Sequence, residues 1–148
     1  MKMDRDGNVY LGVTIGYRRL RPYLEELWNL LGAKAYCGAR RNKIRRDGLS
    51  FHLTIVSPPE MARLKRHPQF TERSRIRLIG LGRATRGSST AYYVVAQCSS
   101  AEEFRRNVKL PPKDFHVTLG FRGSDIHTVA KSQRTLVKQA RKAKGGVR

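Results

Sequence analysis

Two copies of one short phrase constrain this chain more than any other feature: Phe51-His52-Leu53-Thr54 and Phe115-His116-Val117-Thr118. In each copy His and Thr stand two apart among β-forming residues, so on an extended strand both side chains leave the same face. Two such strands facing one another put two imidazoles and two hydroxyls around one cavity. That set can act on a phosphodiester without a metal. One neutral His takes a proton from a nucleophile while a second, protonated His gives one to the leaving oxygen. The Thr hydroxyls donate hydrogen bonds to non-bridging phosphate oxygens. A single His in an apolar strand is usually a hydrogen-bonded structural residue. Two copies, each after Phe and before an aliphatic residue and together holding half of the four His of the chain, favour a paired functional role.

Charge narrows the partners. The 148 residues carry 31 Lys and Arg against 11 Asp and Glu, a formal net charge of +20. Such an imbalance concentrates polyanions and penalises basic partners, so nucleic acid leads as the partner class. Solubility alone does not require so much charge of one sign. The longest apolar stretches, such as residues 91–96, are far too short to span a bilayer, and residues 1–7 are polar, without an apolar signal core. The expectation is a soluble, cytoplasmic monomer with no membrane partner. Cys37 and Cys98 lack CxxC spacing, so neither a disulfide framework nor a zinc site is supported, and both read as small buried or surface residues. No metal and no cofactor is expected.

Residues 9–17 are β-rich and end in a basic turn. Pro22 suits a first helical turn, and Leu20, Leu24, Leu27, Trp28 and Leu31 keep an apolar helical face until Gly32 stops it. Residues 39–48 read as a polar, basic loop, and 49–57 as the first motif strand, ended by Pro58 and Pro59. Residues 76–84 and 91–98 read as a hairpin turning at 86–89. Ser100 and Glu103 have capping-box spacing at the start of a short helix. Pro111 and Pro112 break that helix, and 114–121 form the second motif strand. From Ser132 the chain reads as a basic, moderately helical tail. The order strand, helix, His-x-Thr strand thus occurs twice, predicting two pseudo-symmetric lobes over 9–70 and 75–127, with a basic tail over 131–148. Neither lobe has enough helix to stand alone. The fold class is therefore α+β: a single bilobal domain over 1–148, with antiparallel strands, helices outside and one active-site cleft between the lobes.

Paired His-x-Thr motifs about sixty residues apart, each on a strand of a two-lobed α+β protein, resemble the 2H phosphoesterase superfamily. The wording FHLTIVSPPE and DFHVTLGFRGSDIH resembles its Swiss Army Knife RNA repair-like branch. The resemblance covers about residues 9–127, and it implies metal-free cyclic phosphodiesterase chemistry. His116 of the second motif would activate water and His52 of the first would protonate the departing ribose oxygen. Thr54 and Thr118 would orient the phosphate and stabilise charge on its equatorial oxygens.

Around these four, Tyr17 at the end of the first strand is a candidate to stack on a base or to pack at the rim. Arg122, just beyond the second motif strand, is a candidate phosphate partner or a solvated surface residue. Arg40, Arg41, Lys43, Arg45 and Arg46 form the densest basic run before the first motif and are candidates for the nucleic-acid backbone, although a solvated face is the default for such a run. His67 and His127 lack a partner motif and read as structural or surface residues. The leading expectation is hydrolysis of a 2',3'-cyclic phosphate at an RNA end, in RNA repair or processing. Degradation of a cyclic oligonucleotide signal and a non-catalytic RNA-binding module are the alternatives.

Overall fold

The computed structural model describes residues 1–65, 69–127 and 129–137. One six-stranded sheet runs through it, in the order β1-β2-β3-β6-β5-β4 with every neighbouring pair antiparallel. The strands are β1 (Lys2–Met3), β2 (Val9–Ile15), β3 (Phe51–Val56), β4 (Arg77–Arg86), β5 (Ser89–Gln97) and β6 (Phe115–Arg122). Helices α1 (Tyr17–Leu31), α2 (Ala33–Asp47) and α3 (Pro58–Arg63) belong to the half built on β1, β2 and β3. Helix α4 (Ser99–Asn107) joins β5 to β6 in the other half. The α+β class and the two-lobed arrangement follow the sequence reading. The lobes share a sheet, joined where the two motif strands pair.

Helix α1 buries Leu20, Leu24 and Leu27, spaced to recur on one side of a 3.6-residue period, and ends at Gly32, whose φ of 81° suits a residue without Cβ. It begins at Tyr17, a turn earlier than Pro22 suggested, so Pro22 lies inside the helix and Tyr17 heads a helix rather than closing a strand.

The expected loop over 39–48 is instead the second half of α2. Ala, Lys and Arg are strong helix formers, but only Ala39 and Lys43 of this helix are buried, so the apolar stripe that announces a helix is missing. What seats α2 is β6. A Cβ on Gly120 would stand 2.8 Å from the carbonyl carbon and oxygen of Ala39, so the absence of a side chain there lets the helix lie against the strand. The phenyl ring of Phe51 then takes the Arg40 guanidinium and Lys43 ammonium over its face at 4.9 and 4.6 Å.

Pro58 and Pro59 end β3 and also open α3, where Ser57 and Glu60 form a reciprocal capping box. The box expected at Ser100 and Glu103 is not formed. Cys98 is the N-cap of α4, and the Ser100 N–H and hydroxyl are engaged by the Ser74 hydroxyl at 2.8 and 3.1 Å. Arg105 of α4, 2% exposed, ties the halves together. It donates to both carboxylate oxygens of Glu60, to the Ile55 carbonyl on β3 and to the Pro111 carbonyl ahead of β6.

Two apolar clusters flank the sheet. The larger contains Leu20, Leu24, Leu27, Phe51, Leu53, Ile55, Phe115, Val117 and Leu119. A smaller one gathers Ala84, Ala91, Tyr93, Val95, Phe121 and Ile126. Over this second cluster the chain returns after β6. Gly123 turns it, Ile126 buries, and a single 3-10 turn at Gln133–Thr135 docks by a Tyr93 hydroxyl to Thr135 bond of 2.7 Å and a Val137 N–H to Leu81 carbonyl bond of 2.8 Å. The helical tail expected from Ser132 is therefore a docked segment as far as Val137. Residues 138–148 lie outside the described residues.

Candidate active site

Both motifs show the same alternation: Phe51, Leu53, Phe115 and Val117 are buried, while His52, Thr54, His116 and Thr118 are half-buried and line a cleft of about 1560 Å³. Strand pairing brings the four together. The antiparallel register that sets Leu53 against Val117 puts His52 level with Thr118 and Thr54 level with His116. Two strands related in this way share a local two-fold axis, so each imidazole faces the hydroxyl of the other motif. The motif strands lie side by side in one sheet, with the cleft above them.

Each His also has a tyrosine ring against it. Tyr10 of β2 lies 5.3 Å from His52, ring centre to ring centre, and Tyr93 of β5 meets His116 edge-on at 5.7 Å. The register also sets Thr14 beside His52 and Gly12 beside Thr54, and the Thr14 hydroxyl accepts a 2.7 Å bond from Lys2. Tyr93 is held over Gly82 of β4, where a Cβ would come within 2.4 Å of its ring. Spacing along the chain cannot identify these tyrosines. They reach the site through cross-strand register.

The two imidazoles differ electrostatically. Burial pushes His116 down to about 3, helped by the Lys131 ammonium and opposed by Asp125 and the Asp114 backbone. Burial also lowers His52, opposed by Asp47 and reinforced by Lys43, Arg46 and Lys2. His116 is therefore neutral at ordinary pH and the more firmly so of the two.

Beside the His-Thr set stands a charged network absent from the sequence reading. Asp125 takes the Arg46 guanidinium on one oxygen and the Lys131 ammonium on the other, the latter at 3.3 Å, and Arg46 also grips Asp47 at 2.7 and 2.8 Å. Burial pushes the Asp125 carboxyl up, but Lys131 and Arg46 outweigh it and hold the group at about 2. Asp125 lies within the quoted motif wording; nothing along the chain marks Lys131.

The remaining candidates divide. Arg45 and Arg46, from the last turn of α2, line the cleft. Arg41 is exposed on α2. Arg40 donates to the Leu119 carbonyl at 2.7 Å. Lys43, 1% exposed, donates to the Gly48 and Ser50 carbonyls, and burial lowers it to about 8. Lys43 is thus an internal brace for the turn between α2 and β3, with no face left for an RNA backbone. Tyr17, 60% exposed, and Arg122, which reaches the Thr90 hydroxyl at 3.4 Å, are not among the cleft-lining residues. His127 is exposed and lines the cleft, while His67 lies outside the described residues. Cys37 is exposed and Cys98 buried, both free. Among the described residues no group of three or more His, Cys, Asp or Glu is arranged to hold a metal ion, and no helix is long and apolar enough to cross a membrane.

Excess positive charge gathers elsewhere too. A groove of about 530 Å³ between α1 and the start of β4 is lined by Arg18, Arg19, Arg75 and Arg77, with no carboxylate among its lining residues.

Neither curated proteins nor solved structures gave a significant match to this chain. The family model described as Swiss Army Knife, 2H phosphoesterase domain does match, over residues 21–127, a span that holds both His-x-Thr strands and most of the chain. On that match, the chain belongs to the Swiss Army Knife branch of the 2H phosphoesterases.

Proposed function

We propose that this phosphoesterase hydrolyses 2',3'-cyclic phosphates at RNA ends by metal-independent acid-base catalysis. The observation that carries this reading is the two-fold placement of His52, Thr54, His116 and Thr118 across the β3–β6 pair. A phosphate seated between the strands meets an imidazole on either side, as displacement at phosphorus with separate base and acid requires. His116, held neutral, takes the proton of the attacking water. The water oxygen bonds to phosphorus, the bond to one ribose oxygen breaks, and His52 gives that oxygen its proton. Thr54 and Thr118 donate to the non-bridging oxygens as their charge grows. His52 suits the acid role because an anionic phosphate beside it raises its proton affinity once substrate is bound.

An RNA end is favoured over a small cyclic signal on two grounds. The cleft of about 1560 Å³ exceeds the roughly 300 to 1,000 Å³ usual for small-molecule pockets. The net charge of +20 and the arginine groove beside α1 suit a polymer that continues past the reacting end.

The test is incubation with RNA ends bearing 2',3'-cyclic phosphate and with cyclic di- and trinucleotides, all in EDTA, with products resolved by mass spectrometry. The expected result is one phosphomonoester per RNA end, at a rate insensitive to the chelator. Turnover of the cyclic oligonucleotides alone would replace the substrate, and activity abolished by EDTA and restored by a divalent metal would overturn the mechanism.

A further inference from the structure

Lys131 is a cleft residue that neither the paired motifs nor the family match includes, since the match ends at residue 127. Its side chain is 4% exposed. Its ammonium has three hydrogens to place and, among the described residues, two polar partners, both distant: Asp125 at 3.3 Å and Nε2 of His116 at 3.4 Å. A well-made bond from an ammonium to a carboxylate measures about 2.7–2.9 Å, and Asp125 is already shared with Arg46. The Tyr93 ring beneath Lys131, at 5.4 Å, offers only its face. Lys131 is thus a buried cation with incomplete partners, held at the rim of the His-Thr set.

An ammonium can only donate, so Nε2 of His116 presents its lone pair to Lys131 and the ring proton sits on Nδ1. Nδ1 is buried, leaving Nε2 as the nitrogen that faces the cleft chemistry. That same lone pair must accept the proton of the attacking water. In the free protein it is covered.

We propose that Lys131 is an anion-responsive latch on the base. Without substrate its ammonium occupies Nε2 of His116; a phosphate seated between the motifs draws the ammonium onto a non-bridging oxygen and frees the lone pair. The device couples unmasking of the base to arrival of the scissile group and adds a cation where phosphate charge accumulates. It rests on the cyclic phosphodiesterase reading for the identity of the phosphate and for the role of His116 as base. Around His116 stand Tyr93 from β5, Thr54 from β3, Lys113 and Asp114 ahead of β6, and Asp125 and Lys131 on the returning segment. Lys131 and Lys113 favour the neutral ring and Asp125 opposes them.

The deciding measurement is nitrogen NMR of the His116 imidazole in the full chain, titrated with pH and with inorganic phosphate, for wild type, Lys131→Met, Lys131→Gln and Lys131→Arg. In wild type, phosphate should shift the Nε2 resonance to saturation. Losing a charged donor should weaken phosphate binding roughly 10- to 100-fold in the Met and Gln variants and move His116 protonation to higher pH, while Arg preserves both. The Gln variant keeps polar bulk should Met disturb folding. Unchanged phosphate affinity with unchanged His116 titration in either folded variant overturns the latch, even if wild type hydrolyses cyclic phosphate normally. A Lys131-dependent response in a protein that hydrolyses no cyclic phosphate upholds the latch and removes only the substrate assignment.

Discussion

At the scale of single residues, two chemically identical imidazoles are made unlike by where the sheet puts them. His116 is desolvated and faces a cation, and is held at about 3; His52 is lowered by burial but has Asp47 pulling the other way. A base that loses its proton low and an acid whose free-state proton affinity is also depressed give a bell-shaped kcat/KM centred on the acidic side of the ordinary His value of about 6.5. The kcat bell, which reports the complex, should sit at higher pH, because bound phosphate favours the His52 imidazolium. His52→Ala should erase the alkaline limb and His116→Ala the acidic one, each lowering kcat by about 10² to 10⁴. Steady-state rates from roughly pH 2.5 to 9 on a 2',3'-cyclic mononucleotide, a range that spans both limbs, provide the check. A rate that climbs steadily to pH 10 would exclude the assigned pair.

Between elements, the Arg105–Glu60 pair is a polar clamp joining the halves that carry the two motifs. Its five hydrogen bonds run from α4 to the cap of α3, to β3 and to the approach to β6. Burial alone would raise the Glu60 carboxyl, but the Arg105 and Ser57 bonds hold it at about 2. A depressed carboxyl contributes stability that is complete above its unfolded value of 4.5 and disappears as pH falls through 2. His116 adds an earlier loss. The unfolded chain takes up its proton below 6.5 while the folded one resists to about 3, so stability falls across that interval. Arg105→Met should cost about 3–5 kcal/mol by stranding a largely buried carboxylate. Urea melts at a series of pH values are the measurement. In Arg105→Met the loss between pH 4.5 and 2 should shrink by the Glu60 share while the shares of His116 and Asp125 remain, and a variant as stable as wild type would show that the clamp is not load-sharing.

At the scale of the molecule, charge is partitioned. In the cleft, Arg46 and Lys131 are matched against Asp47 and Asp125, whereas Arg18, Arg75 and Arg77 face a groove lined by no carboxylate. Affinity for single-stranded RNA should therefore fall steeply with salt, with a log-log slope near −0.7 for each phosphate neutralised. The triple substitution Arg18→Gln, Arg75→Gln, Arg77→Gln should reduce the magnitude of that slope by about 2, one −0.7 step per lost contact. It should weaken long RNA far more than a dinucleotide. Fluorescence anisotropy at several salt concentrations tests this, and equal affinity for a dinucleotide and a 20-mer would count against a polymeric substrate.

What was legible in the sequence was whatever repeats with the period of one element. The His-x-Thr alternation announced two half-buried strands, Leu20, Leu24 and Leu27 announced α1, and the prolines and glycines marked where elements stop. These are local properties, set by the geometry of a single strand or helix. Helix α2 escaped because its burial is not apolar: it is seated by a missing Cβ at Gly120 and by cations on Phe51, eighty-one and twelve residues from Ala39. Tyr10, Tyr93 and Lys131 escaped for the related reason that cross-strand register and a returning segment bring them to the histidines. The residue types able to do the chemistry were thus written in order along the chain, whereas which imidazole is neutral, which lysine is internal and which cation reaches the base depend on desolvation and distance, quantities that exist only once the chain has folded.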